Sequence, residues 1–471
     1  MKKGLIIICV LFGLTLFAQE KNEPNFKSFW EGDLKVNSIT LKLVIKLYEK
    51  DDKSFGGFLD SPNQGATNIP ASFVKLTDDS LIVRVDAIAG KYEGKIQKEN
   101  LTAVGNWSQG GRIFPLELKK TEKAFELKRP QMPIKPYPYN EEEVEFINEK
   151  ENFTLAGSFT YPKNGSNFPA VIMITGSGRQ DRDETLFGHK PFLVIADYLT
   201  RNGIAVLRYD DRGAGKSKGI FQGATSEDFA YDALAAIKYL KTRKEVNQKA
   251  IGIIGHSEGG LIAPMVANIS DDVNFIIMLA GPGARGKELL VLQEELLLKA
   301  NGLAEDEVAK QVKSSAEAYD IVLNEPDSLK AYKLLKEMYE KEIASLSEEE
   351  RNKPEYSKEN FEQGVRQILS TWFRFFIKYD PRPALENLTI PVLALNGDKD
   401  LQVPSKQNLP IIKDALKSAG NKNYKIVELP GLNHAFQHAN TGAVTEYSQI
   451  EETFSEEALK IIVDWIKEIT K

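Results

Sequence analysis

Gly255-His256-Ser257-Glu258-Gly259-Gly260 stands between the apolar run AIGII at 250–254 and the run LIAPMVA at 261–267. The first run reads as a buried strand and the second as the opening of a helix. A serine held at so sharp a strand-to-helix turn projects its hydroxyl above the sheet edge, and small flanking residues keep the turn free of clashes. The helix N-terminus beyond it stabilises developing negative charge. Ser257 is therefore the candidate nucleophile. His256 reads mainly as a turn residue, because an imidazole adjacent in sequence to the serine is badly aimed to act as its base.

Outward from this turn, strands and helices alternate. Strands are expected at 168–175 (FPAVIMIT), 203–209, 250–255, 274–280, 390–396 and 424–429, and helices at 191–201, 226–242, from 260, near 407–418 and up to 469. Such alternation, with strands that are continuously apolar, implies a doubly wound, mainly parallel sheet covered on both faces. Residues 281 to about 379 interrupt the pattern with a helical stretch rich in Glu, Lys, Leu and Ala, too long for a connection and hence an inserted helical cap. Upstream, residues 23–128 carry short β-rich runs; Leu41, Leu43, Ile45 and Leu47 alternate with polar neighbours, and Gly110-Gly111 reads as a hairpin turn. A small antiparallel β domain is expected there. Pro130, Pro133, Pro136 and Pro138 mark 129–140 as a stiff linker, and 141–471 forms the α/β unit. Residues 1–19, with Lys2, Lys3 and an apolar core of about a dozen residues, read as an export signal. The expected location is periplasmic or secreted, with no membrane span once the signal is removed.

Three further segments end strands where a serine hydrolase needs them. Thr175-Gly176-Ser177-Gly178 can aim backbone amides at an oxyanion, so the amides of Ser177 and Glu258 form the candidate oxyanion hole. Asn396-Gly397-Asp398-Lys399-Asp400 supplies an acid, and Gly431-Leu432-Asn433-His434 supplies an imidazole. Asp400 is preferred to Asp398, since the first residue past a strand is better placed to cap the local turn. His434 is the expected base, with His438 as the alternative. The order Ser257, Asp400, His434 resembles the α/β-hydrolase superfamily over residues 141–471. Asp210-Asp211-Arg212-Gly213-Ala214-Gly215-Lys216-Ser217 looks like that superfamily's D-x-R-G-x-G-x-S loop. A β-rich N-terminal domain, GHSEGG and a helical insert make the chain similar to EstD-type bacterial carboxylesterases. That resemblance implies hydrolysis of small-molecule esters, without metal or other cofactor, through a Ser-His-Asp triad. Thr175 departs from the pattern, because many relatives carry His at that place.

Composition narrows the alternatives. The formal charge is −6 with acids and bases well mixed, so no nucleic-acid partner is indicated. The one cysteine, Cys9, excludes a disulfide framework. Gly215-Lys216-Ser217 is not a phosphate-binding loop, since Asp210 stands where its first glycine belongs. His434 and His438 lack a carboxylate at zinc spacing. Trp372, Phe373, Phe376 and Tyr379 fall on one helical stripe and are expected in core or lid packing, as Trp30 and Trp107 are in the core of the β domain. A serine peptidase of the aminopeptidase or prolyl-oligopeptidase kind, a thioesterase or acyltransferase, and a glycan-binding role for the β domain remain competing readings. The sequence leaves the oligomeric state open.

Overall fold

The computed structural model describes residues 24–36, 39–62, 66–123, 125, 128–352 and 356–471. The expected export signal at 1–19 lies outside these residues. Period-two patterning builds a first, antiparallel sheet from β1 (Phe26–Val36), β2 (Ile39–Glu49), β3 (Phe55–Ser61), β4 (Ala66–Pro70), β5 (Phe73–Leu76), β6 (Ser80–Val85), β7 (Gly90–Gln97), β8 (Thr102–Gln109) and β9 (Arg112–Thr121). The strand order is β4-β3-β2-β1-β9-β8-β7-β6-β5. The last strand thus returns to the first, and β3 meets β5 where the two ends of the sheet come together. Trp30, Ile45, Leu47, Leu81, Val83 and Trp107 fill its interior, so both tryptophans belong to the core. Gly110 and Gly111, at φ of 57° and 75°, make the β8–β9 turn. Positive φ at both central residues is what a two-residue hairpin with the strands' natural twist demands.

The second sheet consists of β10 (Asn140–Asn148), β11 (Phe153–Tyr161), β12 (Phe168–Ile174), β13 (Ala205–Tyr209), β14 (Val246–His256), β15 (Phe275–Leu279), β16 (Val392–Gly397) and β17 (Tyr424–Leu429). Its order is β10-β11-β13-β12-β14-β15-β16-β17, parallel from β13 to β17 with an antiparallel hairpin at one edge. Side chains of β12 divide between the two faces as a strand's geometry requires. Val171 and Met173 pack with α1 (Pro191–Arg201) and α12 (Glu456–Ile469). Ala170, Ile172 and Ile174 face α2 (Ser226–Lys241), α3 (Glu258–Ile269) and α11 (Ser405–Ser418). This is an α/β-hydrolase sheet, doubly wound and mainly parallel. The cap enters between β15 and β16 as α4 (Gly286–Ala300), α5 (Glu305–Asn324), α6 (Ser328–Ser345), α7 (Glu348–Arg351), α8 (Lys358–Ile368), α9 (Thr371–Lys378) and α10 (Arg382–Leu385).

Two features were not legible beforehand. The hairpin β10–β11 is masked in sequence by Glu141, Glu142, Glu143 and Glu145, which project away while Val144 and Phe146 go inward. The proline-rich segment is also seated rather than free. Arg129 donates to the carbonyls of Phe187, Ser448 and Ile450, and Gln131 bonds the backbone of Thr453 and Phe454. In the loop after β13, Arg212 forms a buried ion pair with Asp232 of α2, at 2.7 Å. That pair fixes the crossover that carries the chain from β13 to the next helix.

In the cap, Glu294 of α4 is buried and accepts from Ser315 and Gln311, while its Oε2 has no partner. Burial pushes its carboxyl up to about 7 from an ordinary value of 4.5. The native chain therefore binds more protons than the unfolded chain between these values, and stability falls as pH rises through that window. Glu294→Gln is expected to raise the unfolding free energy by on the order of 2–3 kcal/mol at pH 8 and by little at pH 4, read from urea denaturation at both pH values.

Candidate active site

Ser257 sits at the C-terminal end of β14 as the residue before α3, with φ 52° and ψ −117°. An L residue adopts such a conformation only where the surroundings force it. The surroundings here are glycine. A side chain on Gly255 would place its Cβ 2.0 Å from the Gly259 carbonyl oxygen, and one on Gly259 would come to 2.2 Å from that of Ile174. The end of β12, the elbow and the start of α3 are therefore in direct backbone contact. The Ser257 amide donates to Leu279 of β15 at 2.8 Å, which ties the elbow to the neighbouring strand as well.

The base and acid arrive from the ends of β17 and β16, at the carboxyl edge where parallel sheets present their sites. His434 Nδ1 lies 2.8 Å from Asp400 Oδ2, and both side chains are almost fully buried. Asp400 Oδ1 accepts from the amides of Gln402 and Val403, each at 2.8 Å. With the carboxylate so oriented, the His434 proton resides on Nδ1 and Nε2 presents a lone pair. No hydrogen bond joins Nε2 to Ser257 among the described residues; bonds of this type commonly tighten only around substrate. Asp398 does not take part: its carboxylate accepts from the Gly431 amide at 2.6 Å.

The remaining histidines have other partners. His438 is exposed and bonds Glu452. His189 is buried between Thr453 and the Tyr447 carbonyl, and burial lowers it to about 4. His256 has both ring nitrogens engaged, Nδ1 with Glu184 and Nε2 with the His434 carbonyl, so it is not available as a base.

Ser177 lies in the loop after β12, and neither its amide nor that of Glu258 donates to another protein atom among the described residues. The loop is held from two sides. Asp211 accepts from the Thr175 hydroxyl and the Gln180 amide, and Glu184 accepts from the Gly176 amide at 2.7 Å. Burial holds the Asp211 carboxyl well above its usual range. Thr175 thus has a definite task where relatives carry His: it anchors the loop. Glu258 faces the other way, its buried carboxyl accepting from Ser226 at 2.6 Å and from Trp372 Nε1 of the cap at 2.8 Å. Burial raises its pKa as well. Of the aromatic stripe on α9, Phe373 and Phe376 are core, while Trp372 reaches the elbow itself. The roles of Glu184, Asp211 and Trp372 were missed from sequence, and only Asp211 stood in a motif that drew attention to it.

Asp398→Ala should remove one partly exposed hydrogen bond, costing about 1 kcal/mol of stability. Turnover is expected to change less than about threefold, since the His434–Asp400 bond is untouched; a melting curve and initial rates check both.

The description "Serine aminopeptidase, S33" belongs to the family model that matches residues 191–439, more than half of the chain. Esterase EstD of Thermotoga maritima is 28% identical over 340 residues, covering 72% of this chain and 70% of that protein. Among solved structures, the Pyrococcus furiosus esterase Pf2001 overlaps with a TM-score of 0.43 at 16% identity, over 74% of this chain and 99% of that one. Est1E from Butyrivibrio proteoclasticus gives 0.37 at 18% identity, over 69% and 96%. With a glycine-lined serine elbow on a doubly wound sheet and a family match across its core, the chain belongs to the serine aminopeptidase S33 family of α/β-hydrolases.

Proposed function

We propose that this protein is an exported carboxylesterase that cleaves short-acyl esters through Ser257, His434 and Asp400. The observation that carries the reading is the buried His434–Asp400 bond beside a strained serine elbow. His434 Nε2 takes the Ser257 proton as Oγ attacks the ester carbonyl, and Asp400 stabilises the imidazolium that forms. The amides of Ser177 and Glu258 receive the tetrahedral oxyanion, each worth roughly 3 kcal/mol in the transition state. The imidazolium protonates the departing alkoxide. Water then enters, gives a proton to the same imidazole and releases the acid. Nothing in these steps calls on a cofactor. The α3 N-terminus adds favourable potential at the developing charge.

The preference for esters over peptides rests on the likeness to EstD, which extends over 72% of this chain. Location rests on the sequence pattern of residues 1–19; N-terminal sequencing of the exported protein tests it, and a product that still begins at Met1 would refute it. The cap, rooted beside the elbow through Trp372, is suited to filtering substrates.

Ser257→Ala should abolish hydrolysis of p-nitrophenyl acetate and labelling by a fluorophosphonate probe, with an unchanged circular dichroism spectrum. Asp400→Asn should lower kcat by about 10⁴, as loss of an orienting acid typically does. The wild-type enzyme should turn over p-nitrophenyl esters far faster than aminoacyl p-nitroanilides; the opposite ranking would make it a peptidase.

A further inference from the structure

We propose that Glu184 and His256 form an ionised positioning dyad that holds the oxyanion loop and the main chain of the base in register around Ser257. The inference deepens the serine-hydrolase reading given above and rests on it.

One carboxylate oxygen makes two bonds. Glu184 Oε1 accepts from the Gly176 amide at 2.7 Å and faces His256 Nδ1 at 2.9 Å. His256 Nε2 in turn lies 2.9 Å from the His434 carbonyl oxygen. A backbone carbonyl only accepts, and so does a carboxylate. An imidazole bonded to both must donate from both nitrogens, which makes it an imidazolium. The two loops that meet at Ser257 are thus bridged by a single buried ion pair: Glu184 and Gly176 on the oxyanion side, His434 on the side of the base.

Independent observations agree. Glu184 has φ 52°, a conformation that L residues disfavour, and it is buried. The backbone is strained at the residue that brings the carboxylate inward. The packing around it is close: a Cβ built on Gly176 would lie 3.2 Å from Ser257 Cβ, 3.3 Å from Glu184 Oε1 and 3.6 Å from His256 Nδ1. Burial alone would lower the His256 pKa, yet the Glu184 charge, its hydrogen bond and the His434 carbonyl raise it overall. The charged groups facing this pair are Asp400 from the end of β16, which also favours the cation, and Asp211 from the end of β13, beside Glu184; the His434 ring stands 4.8 Å from that of His256. The dyad touches neither substrate nor the reacting atoms. It fixes distances among the groups that do, where a displacement of about 1 Å can cost up to about 100-fold in rate.

The test uses the chain labelled with [15N]histidine, the His256 signals being assigned by their loss in His256→Asn. Both His256 ring nitrogens are expected to carry protons at pH 7.5, and a neutral His256 would overturn the proposal. Glu184→Gln leaves an acceptor for Gly176 but removes the charge. It is expected to lower kcat for p-nitrophenyl acetate about 10- to 100-fold while KM moves less than about threefold. A kcat within twofold of wild type would overturn the positioning role. Should Glu184→Gln not fold, His256→Asn carries the same kinetic test, and the protonation state is read on the unmutated protein in any case. Failure of the underlying serine-hydrolase reading has a separate signature: Ser257→Ala would then retain activity, whatever the state of His256.

Discussion

The contact between Gly259 and the Ile174 carbonyl, where a Cβ would come to 2.2 Å, is the constraint on which the site depends. It brings the N-terminus of α3 against the end of β12 and leaves no room for a side chain between them. From this one approach follow the left-handed conformation of Ser257, the placement of the Glu258 amide at the first turn of a helix, and the nearness of the Ser177 loop. The local strain is borne by the parallel sheet, whose central strands are buried on both faces. Catalytic geometry in this protein is therefore a property of how backbone meets backbone, and side chains are added to a frame already set.

The polar side chains that complete the site are almost all buried, so each needs a partner to offset its lost hydration. Asp400 is held by two amides as well as by His434. Asp211 and Glu184 divide the oxyanion loop between them, and Glu258 ties the elbow to α2 and to the cap. These bonds run between segments distant in sequence, which makes the network a device for register as much as for charge. A cap bonded to the elbow through Trp372 also gives substrate entry a direct mechanical route to the nucleophile's neighbour.

Much of this was legible in the sequence because it follows from local rules. Apolar runs of strand length between helical patterns give the doubly wound sheet, and glycines flanking Ser257 give the elbow. The preference for Asp400 over Asp398 came from turn geometry alone, and the geometry agrees: Asp400 meets His434 while Asp398 accepts from Gly431. What was illegible depends on long-range placement. Glu184 stands in the polar stretch Gln180-Asp181-Arg182-Asp183-Glu184, where nothing distinguishes it from its acidic neighbours until the loop folds back on β12. His256 reads as a turn residue because its partners are 72 and 178 positions away. The hairpin β10–β11 was hidden by a run of glutamates whose apolar alternates are few.

The central claim is that Ser257 carries the acyl group. Rapid acid quench of the enzyme with p-nitrophenyl acetate, followed by peptide mass spectrometry, tests it directly. One acetyl group per chain on the peptide containing Ser257, appearing at the rate of the p-nitrophenol burst, is the expected result. Acetylation at another residue, or turnover with no covalent intermediate and a hydroxyl at Ser257 left unmodified throughout, would contradict it.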